Sequence, residues 1–112
     1  MNNEIEFSDF LRVDIRTGTV LSARLNEKAR NPAYVMEVDF GPELGVKTTS
    51  AQLTRVYEAE SLPGRQVVAV TNFPPLRVAG IKSEVLVLGV ETEDGVVLLQ
   101  TEQPVSNGIR IS

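Results

Sequence analysis

Neither cysteine nor histidine occurs anywhere in the 112 residues. Their absence excludes disulfides, a thiolate nucleophile, His/Cys zinc sites and a Ser-His-Asp triad. Only carboxylates remain for a hard cation, and Asp14, Glu37, Asp39 and Glu43 match no calcium-loop spacing. Tryptophan is missing too, and four Phe with two Tyr leave few platforms on which bases could stack. The longest apolar run, Val85 to Val90, falls far short of the roughly 20 residues that span a bilayer. The opening MNNEIEFSDF has no basic stretch followed by an apolar one, as a secretory signal would. A soluble cytoplasmic protein is expected. With no Gly-rich phosphate cradle, the chain predicts no nucleotide cycle, no cofactor, no resident metal and no catalytic residue.

What is present is apolar and strand-forming. Val, Leu, Ile and Phe supply 36 of the 112 positions, Val alone sixteen, which is ample for one folded domain spanning residues 1–112. Charge is unevenly spread. The formal net charge is -4, yet the basic side chains concentrate between positions 11 and 82, while both ends are acidic. A local positive face is therefore compatible with an acidic total.

Alternation sets the fold expectation. Phe7 to Arg12 reads as a helical turn with Ser8 as N-cap. A long strand follows from Val13, with Val13, Ile15, Thr17, Leu21 and Ala23 on one face and Gly18 marking a bulge or bend. Tyr34, Met36, Val38 and Phe40 alternate with Val35, Glu37 and Asp39 in a second strand that stops at Gly41 and Pro42. Gly45 to Ser50 forms a third strand, and a short helical segment spans Ala51 to Glu60. Arg65 to Phe73 forms a fourth strand, ended by Pro74 and Pro75 because proline lacks an N–H for the ladder. Val85 to Glu91 and Val96 to Thr101 flank a hairpin turn at Asp94 and Gly95, and Asn107-Gly108 gives a last turn. The expected class is all-β: a five-stranded Greek-key barrel of the oligonucleotide/oligosaccharide-binding (OB) kind, with short helical segments and a C-terminal extension.

Four stretches carry a family resemblance: FSDFLRVDIRTGTV from Phe7, PAYVMEVDFGPELGVKTTSAQLT from Pro32, NFPPLRVAGIKSEVLVLG from Asn72 and VVLLQTEQPVSNG from Val96. In order and spacing the chain resembles the tRNA-binding domain family, found as stand-alone proteins and as an appendage of some methionyl-tRNA synthetases. It is most similar to the branch described as bacterial secretion chaperones. The resemblance implies an OB fold, a homodimer and a binding role without catalysis. In the tRNA-binding relatives the step matching Ser83-Glu84 is followed by Gly-Met. Here Val85 and Leu86 stand in those places, which removes a close backbone approach and counts against strong tRNA contact.

Residue chemistry supplies two candidate sites. Phe73, Pro74 and Pro75 form a rigid apolar ridge that loses little entropy on binding, Asn72 offers hydrogen bonds to an extended backbone, and Tyr34 is a further apolar contact. Arg77, Lys82 and Glu84 would edge this peptide site, Lys82 and Glu84 sharing a strand face. The alternative, an RNA backbone site, draws on Lys28, Arg30, Lys47, Arg55, Arg77, Lys82 and Ser83. Most of the six aromatics fall on core-facing phases; Phe73, Tyr34 and Tyr57 are the ones available to a base, and each is expected to pack sooner than to stack. The functional expectation is an export chaperone binding unfolded preprotein segments without ATP, with the protein-export machinery as a further partner. A stand-alone tRNA-binding protein is the alternative, and a dimer that scaffolds another complex a third.

Overall fold

A computed structural model describes residues 3–112. A short helix α1 (Phe7–Leu11) precedes β1 (Ile15–Leu25), β2 (Tyr34–Asp39), the single-turn helix α2 (Gly41–Leu44) and β3 (Val46–Ala51). A 3-10 turn (Ala59–Ser61) leads to β4 (Gln66–Val70), then come β5 (Leu76–Val78), β6 (Ile81–Ser83), β7 (Leu86–Val87), β8 (Gly89–Thr92) and β9 (Gly95–Leu98). Five strands in the order β3-β2-β1-β4-β7 form a nearly closed antiparallel barrel, flanked by the β5–β6 and β8–β9 hairpins. This is the expected all-β OB architecture.

The core confirms the phase expected for β2: Tyr34, Met36 and Val38 are buried, as is Phe40 beyond the strand end, and they pack with Val20, Leu53, Leu62, Val67, Ala69 and Val85. In β1 the expected phase is corrected. Gly18 and Val20 face the core, and the bulge lies at Leu21, between the pairs Val20–Val38 and Ser22–Glu37. Gly18 is needed for close packing, not for a bend, because a Cβ there would meet Phe40 and Val38 side-chain carbons at 2.8 Å. Leu21 is consequently exposed and Ala23 returns to the core side.

Other boundaries also shift. Glu6, not Ser8, is the N-cap of α1, its N–H donating to Asp9 Oδ2 at 2.9 Å. The helical segment expected over Ala51 to Glu60 contracts to turns and the 3-10 turn, and β4 ends at Val70 instead of Phe73. Phe7, expected in the core, is 72% exposed.

The C-terminal extension is held along β1. Thr17 N–H donates to the Ile109 carbonyl at 3.0 Å and Gly108 N–H to the Thr17 carbonyl at 2.7 Å. The buried Thr17 hydroxyl donates to the Ser106 carbonyl and accepts from Ile109 N–H. Beside this seam Arg16 binds Asp14 at 2.7 Å and Glu43 at 3.0 Å, with Arg110 3.8 Å from Asp14. The hydrogen bond from Arg16, chiefly, holds the Asp14 carboxyl below its usual 3.8.

Two outcomes follow. Gly18→Ala lowers unfolding stability by about 1–3 kcal/mol in urea titration, the cost of overpacking a tight core; an unchanged midpoint contradicts the packing role. The folded-state pKa of Asp14 lies below its unfolded value, so its contribution is complete above 3.8 and is lost as pH falls through the folded value. The stability gap between the wild type and Asp14→Asn should therefore close below that pH, whereas a gap independent of pH would contradict the ion cluster.

Candidate functional site

Where β4 ends, the chain is fastened and then released. Thr71 N–H donates to the Asp14 carbonyl at 2.8 Å. The Asn72 side chain accepts from Asp14 N–H at 3.0 Å and donates to the Arg12 carbonyl at 2.7 Å. Asn72 is thus committed to the protein's own backbone, unlike the ligand-binding role expected of it. Phe73, Pro74 and Pro75 follow as an exposed ridge; two prolines have no N–H to rejoin a ladder, and their fixed φ sets the exit direction.

The chain then turns back through the β5–β6 hairpin, which the sequence pattern did not reveal. Its turn, Ala79-Gly80, has φ of 47° and 84°, the left-handed pair that matches the twist of a two-residue hairpin. Leu76 pairs with Ser83, Arg77 with Lys82 and Val78 with Ile81. Cross-strand partners share a face, so Leu76, Val78 and Ser83 face one way and Arg77 with Lys82 the other. After Ser83 the chain docks on β3: Glu84 N–H donates to the Thr48 carbonyl at 2.8 Å. Thr48 N–H donates to Glu84 Oε1 at 2.9 Å, Thr49 Oγ1 to the Val85 carbonyl at 2.9 Å, and Ser50 N–H to Ser83 Oγ at 3.1 Å.

Between ridge, hairpin and barrel lies an open trough of about 480 Å³, walled by Phe73, Pro74, Pro75, Leu76, Val78, Val85 and Leu86, with Ser50, Ser83 and Glu84 as its polar members. Phe73 is 53%, Leu76 67% and Leu86 50% exposed. Full burial of such a side chain contributes about 1.5–3 kcal/mol, so covering the exposed half of each under a ligand contributes roughly half of that. Of the expected peptide-site residues, the structure brings together Phe73, Pro74, Pro75 and Glu84. Tyr34 is not among them: it is buried, its hydroxyl donating to the Tyr57 carbonyl at 2.8 Å. Arg77 and Lys82 sit opposite each other on the far hairpin face. Glu84 is turned to Thr48 and makes no ion pair with Lys82 among the described residues.

The basic residues divide as well. Lys28 and Arg30 wall a cleft of about 520 Å³ with Ala29, Asn31 and Gln52, and Arg55 walls an adjoining one of about 360 Å³ that shares Asn31 and Gln52. Lys47, opposite Val38 in β3, lines neither cleft. The Ser83 hydroxyl is already an acceptor within the trough. Tyr57 is half-buried, its hydroxyl accepting from Leu98 N–H at 3.1 Å and its ring lying 5.0 Å beneath the Arg65 guanidinium. Sequence reasoning missed Val78, Leu86 and Ser50; the apolar run starting at Val85 was the one available signal for Leu86.

The sequence model of the family described as "Putative tRNA binding domain" matches residues 15–110, and the chain belongs to that family. Within it the chain is CsaA-like. A solved structure of the chaperone CsaA from Bacillus anthracis shares 55% identity and superposes with a TM-score of 0.90, covering 97% of this chain and 99% of that one. The CsaA chaperone protein of Picrophilus torridus superposes at 0.92 with 39% identity, over 97% and 100% of the two chains. A methionine–tRNA ligase of Methanococcoides burtonii is 37% identical over 105 residues, 93% of this chain. This chain spans only 15% of the length of that curated relative. Both kinds of likeness fit a non-catalytic binding domain.

Because Phe73 lies outside the core, Phe73→Ala should leave unfolding stability within about 0.5 kcal/mol of the wild type. A loss of about 3 kcal/mol or more in thermal or urea unfolding would place the ring in the core and remove the trough's outer wall.

Proposed function

We propose that this protein captures unfolded preprotein segments in the trough beside Phe73, as a cytoplasmic, homodimeric chaperone that works without ATP and assists export. The observation that carries the reading is an apolar groove open to solvent, built on prolines and hydrogen-bonded to β3, so that little order is lost when a segment settles in it. The CsaA likeness over nearly the whole chain supports the same reading. Among the described residues, no helix is long and apolar enough to cross a membrane. Ile5, Phe7 and Leu11 at the N-terminal helix are exposed, and pairing of two copies would cover them. Affinity is modest: a surface without a nucleotide switch releases its client only through weak, reversible contacts. Release passes the client to the export machinery.

The second reading is tRNA binding, favoured by the adjoining clefts of Lys28, Arg30 and Arg55 and by the family itself. Salt separates the two. Phosphate contacts release counterions, so log affinity falls linearly with log salt, whereas apolar capture changes little. Titrating an unfolded preprotein and bulk tRNA at 50 and at about 200 mM salt should give preprotein binding that barely moves and that drops about tenfold in Phe73→Ala. Tight, steeply salt-sensitive tRNA binding without preprotein binding would reverse the ranking.

A further inference from the structure

The apolar trough does not close at the β5–β6 hairpin. Ser50 and Val78, two of its walls, also wall the cleft of Lys28 and Arg30, so trough and cleft open into one another. The residue that joins their walls is Asn26, a buried polar side chain in the loop between β1 and β2. Its N–H donates to the Ala33 carbonyl at 2.9 Å, its carbonyl accepts from Ala29 N–H at 3.2 Å, and its Oδ1 accepts from Lys28 N–H at 3.1 Å. Its Nδ2 lies 3.5 Å from the Ala79 carbonyl in the hairpin turn. The Lys28 stem rests on the same turn, its Cδ 4.0 Å from where a Cβ of Gly80 would stand. Loop and hairpin are thus fastened together, and the basic pair is held at the end of the trough.

At that end the charge has one sign. Lys28 and Arg30 are exposed, and no carboxylate walls their cleft. Neither side chain has a hydrogen-bond or ion-pair partner among the described residues, whose ion pairs engage Arg16 and Arg110. The carboxylates nearby are engaged or offset. Glu84 in the trough accepts from Thr48 N–H. Glu91 shares the adjoining cleft with Arg55, and Glu27 shares the one beyond Lys28 with Arg24. An anion is therefore wanted at Lys28 and Arg30. No aromatic residue walls their cleft or that of Arg55, so RNA bases would find no platform there, whereas the apolar walls next door suit a polypeptide.

We infer that the captured segment is an extended polypeptide with Asp or Glu directly beside its apolar run: the apolar side chains lie in the trough and the carboxylates reach Lys28 and Arg30. The inference rests on the polypeptide-capture reading and adds to it the composition of the client. The net charge of -4 opposes an acidic client at long range, so a preference for one reports the local pair. Exposed ion pairs contribute little, which sets the selectivity at about fivefold. Capture itself stays nearly independent of salt.

The test uses synthetic peptides of alternating Leu and Ser with blocked termini, carrying an Asp, Asn or Lys pair at one end or the other. Their binding to the full chain is measured by calorimetry at about 50 mM salt, where exposed charges are weakly screened. In one of the two orientations the Asp peptide should bind about fivefold more tightly than its Asn counterpart, and the Lys peptide less tightly. The double substitution Lys28→Gln and Arg30→Gln should bring Asp and Asn peptides level without changing the affinity for the Asn peptide, while Lys47→Gln, which removes a charge outside both clefts, should keep the preference. Equal binding of Asp and Asn peptides in both orientations, or tighter binding of the Lys peptide, would overturn the acidic flank and leave capture in the trough intact. A preference lost equally in Lys47→Gln would reduce it to net charge and overturn the role of the pair. An Asp preference that survives the double substitution, while binding of bulk tRNA is lost, would give the cleft to RNA. Failure of every peptide to bind would remove both the inference and the capture reading.

Discussion

The hydrogen bonds joining Thr48, Thr49 and Ser50 to Ser83, Glu84 and Val85 decide where this molecule keeps its apolar surface. They are short, largely shielded and involve a carboxylate, and a bond to a charged group contributes more than a neutral one, about 1.5–3 kcal/mol. They do two things together. Val85 is pulled into the core as one of its buried members, and the β5–β6 hairpin is pinned beside the ridge of Phe73, Pro74 and Pro75. Were the bonds absent, the hairpin would have no fixed place on the barrel, and Leu76 and Val78 would not face the ridge across a trough.

Much of the barrel is readable from sequence because β2 keeps one phase: Tyr34, Met36 and Val38 are buried and Phe40 continues them, while on the other parity Val35 is buried and Glu37 and Asp39 are partly exposed. β1 resists the same treatment for a physical reason. Gly18 has no side chain to declare its face, and the unpaired Leu21 reverses the parity downstream, so the apolar residues of β1 do not keep one phase. The β5–β6 hairpin is hidden by its turn. Ala79 adopts a left-handed φ that its type rarely does, and two strands of three residues are too short to show a period.

The candidate site divides along the same line. Phe73, Pro74 and Pro75 are legible as a ridge because two successive prolines must leave the sheet. Asn72 and Tyr34 have the right chemistry for a ligand, but long-range partners claim them: Arg12 and Asp14 for the amide, the Tyr57 carbonyl for the phenol. Arg77 and Lys82 are separated from the trough by hairpin parity alone. Hydrogen bonds between residues some 60 positions apart cannot be read from local pattern, and they decide which polar groups stay available.

The acidic total charge, the sparse aromatics and the apolar walls of the trough make the groove at Phe73 the surface best suited to a nonpolar chain. Nuclear magnetic resonance of the isotope-labelled protein with an unfolded polypeptide locates that contact most directly. The account predicts shifts on titration at the methyl groups of Leu76, Val78, Val85 and Leu86. Perturbation confined to Lys28, Arg30 and Arg55, with the trough methyls unmoved, would contradict it.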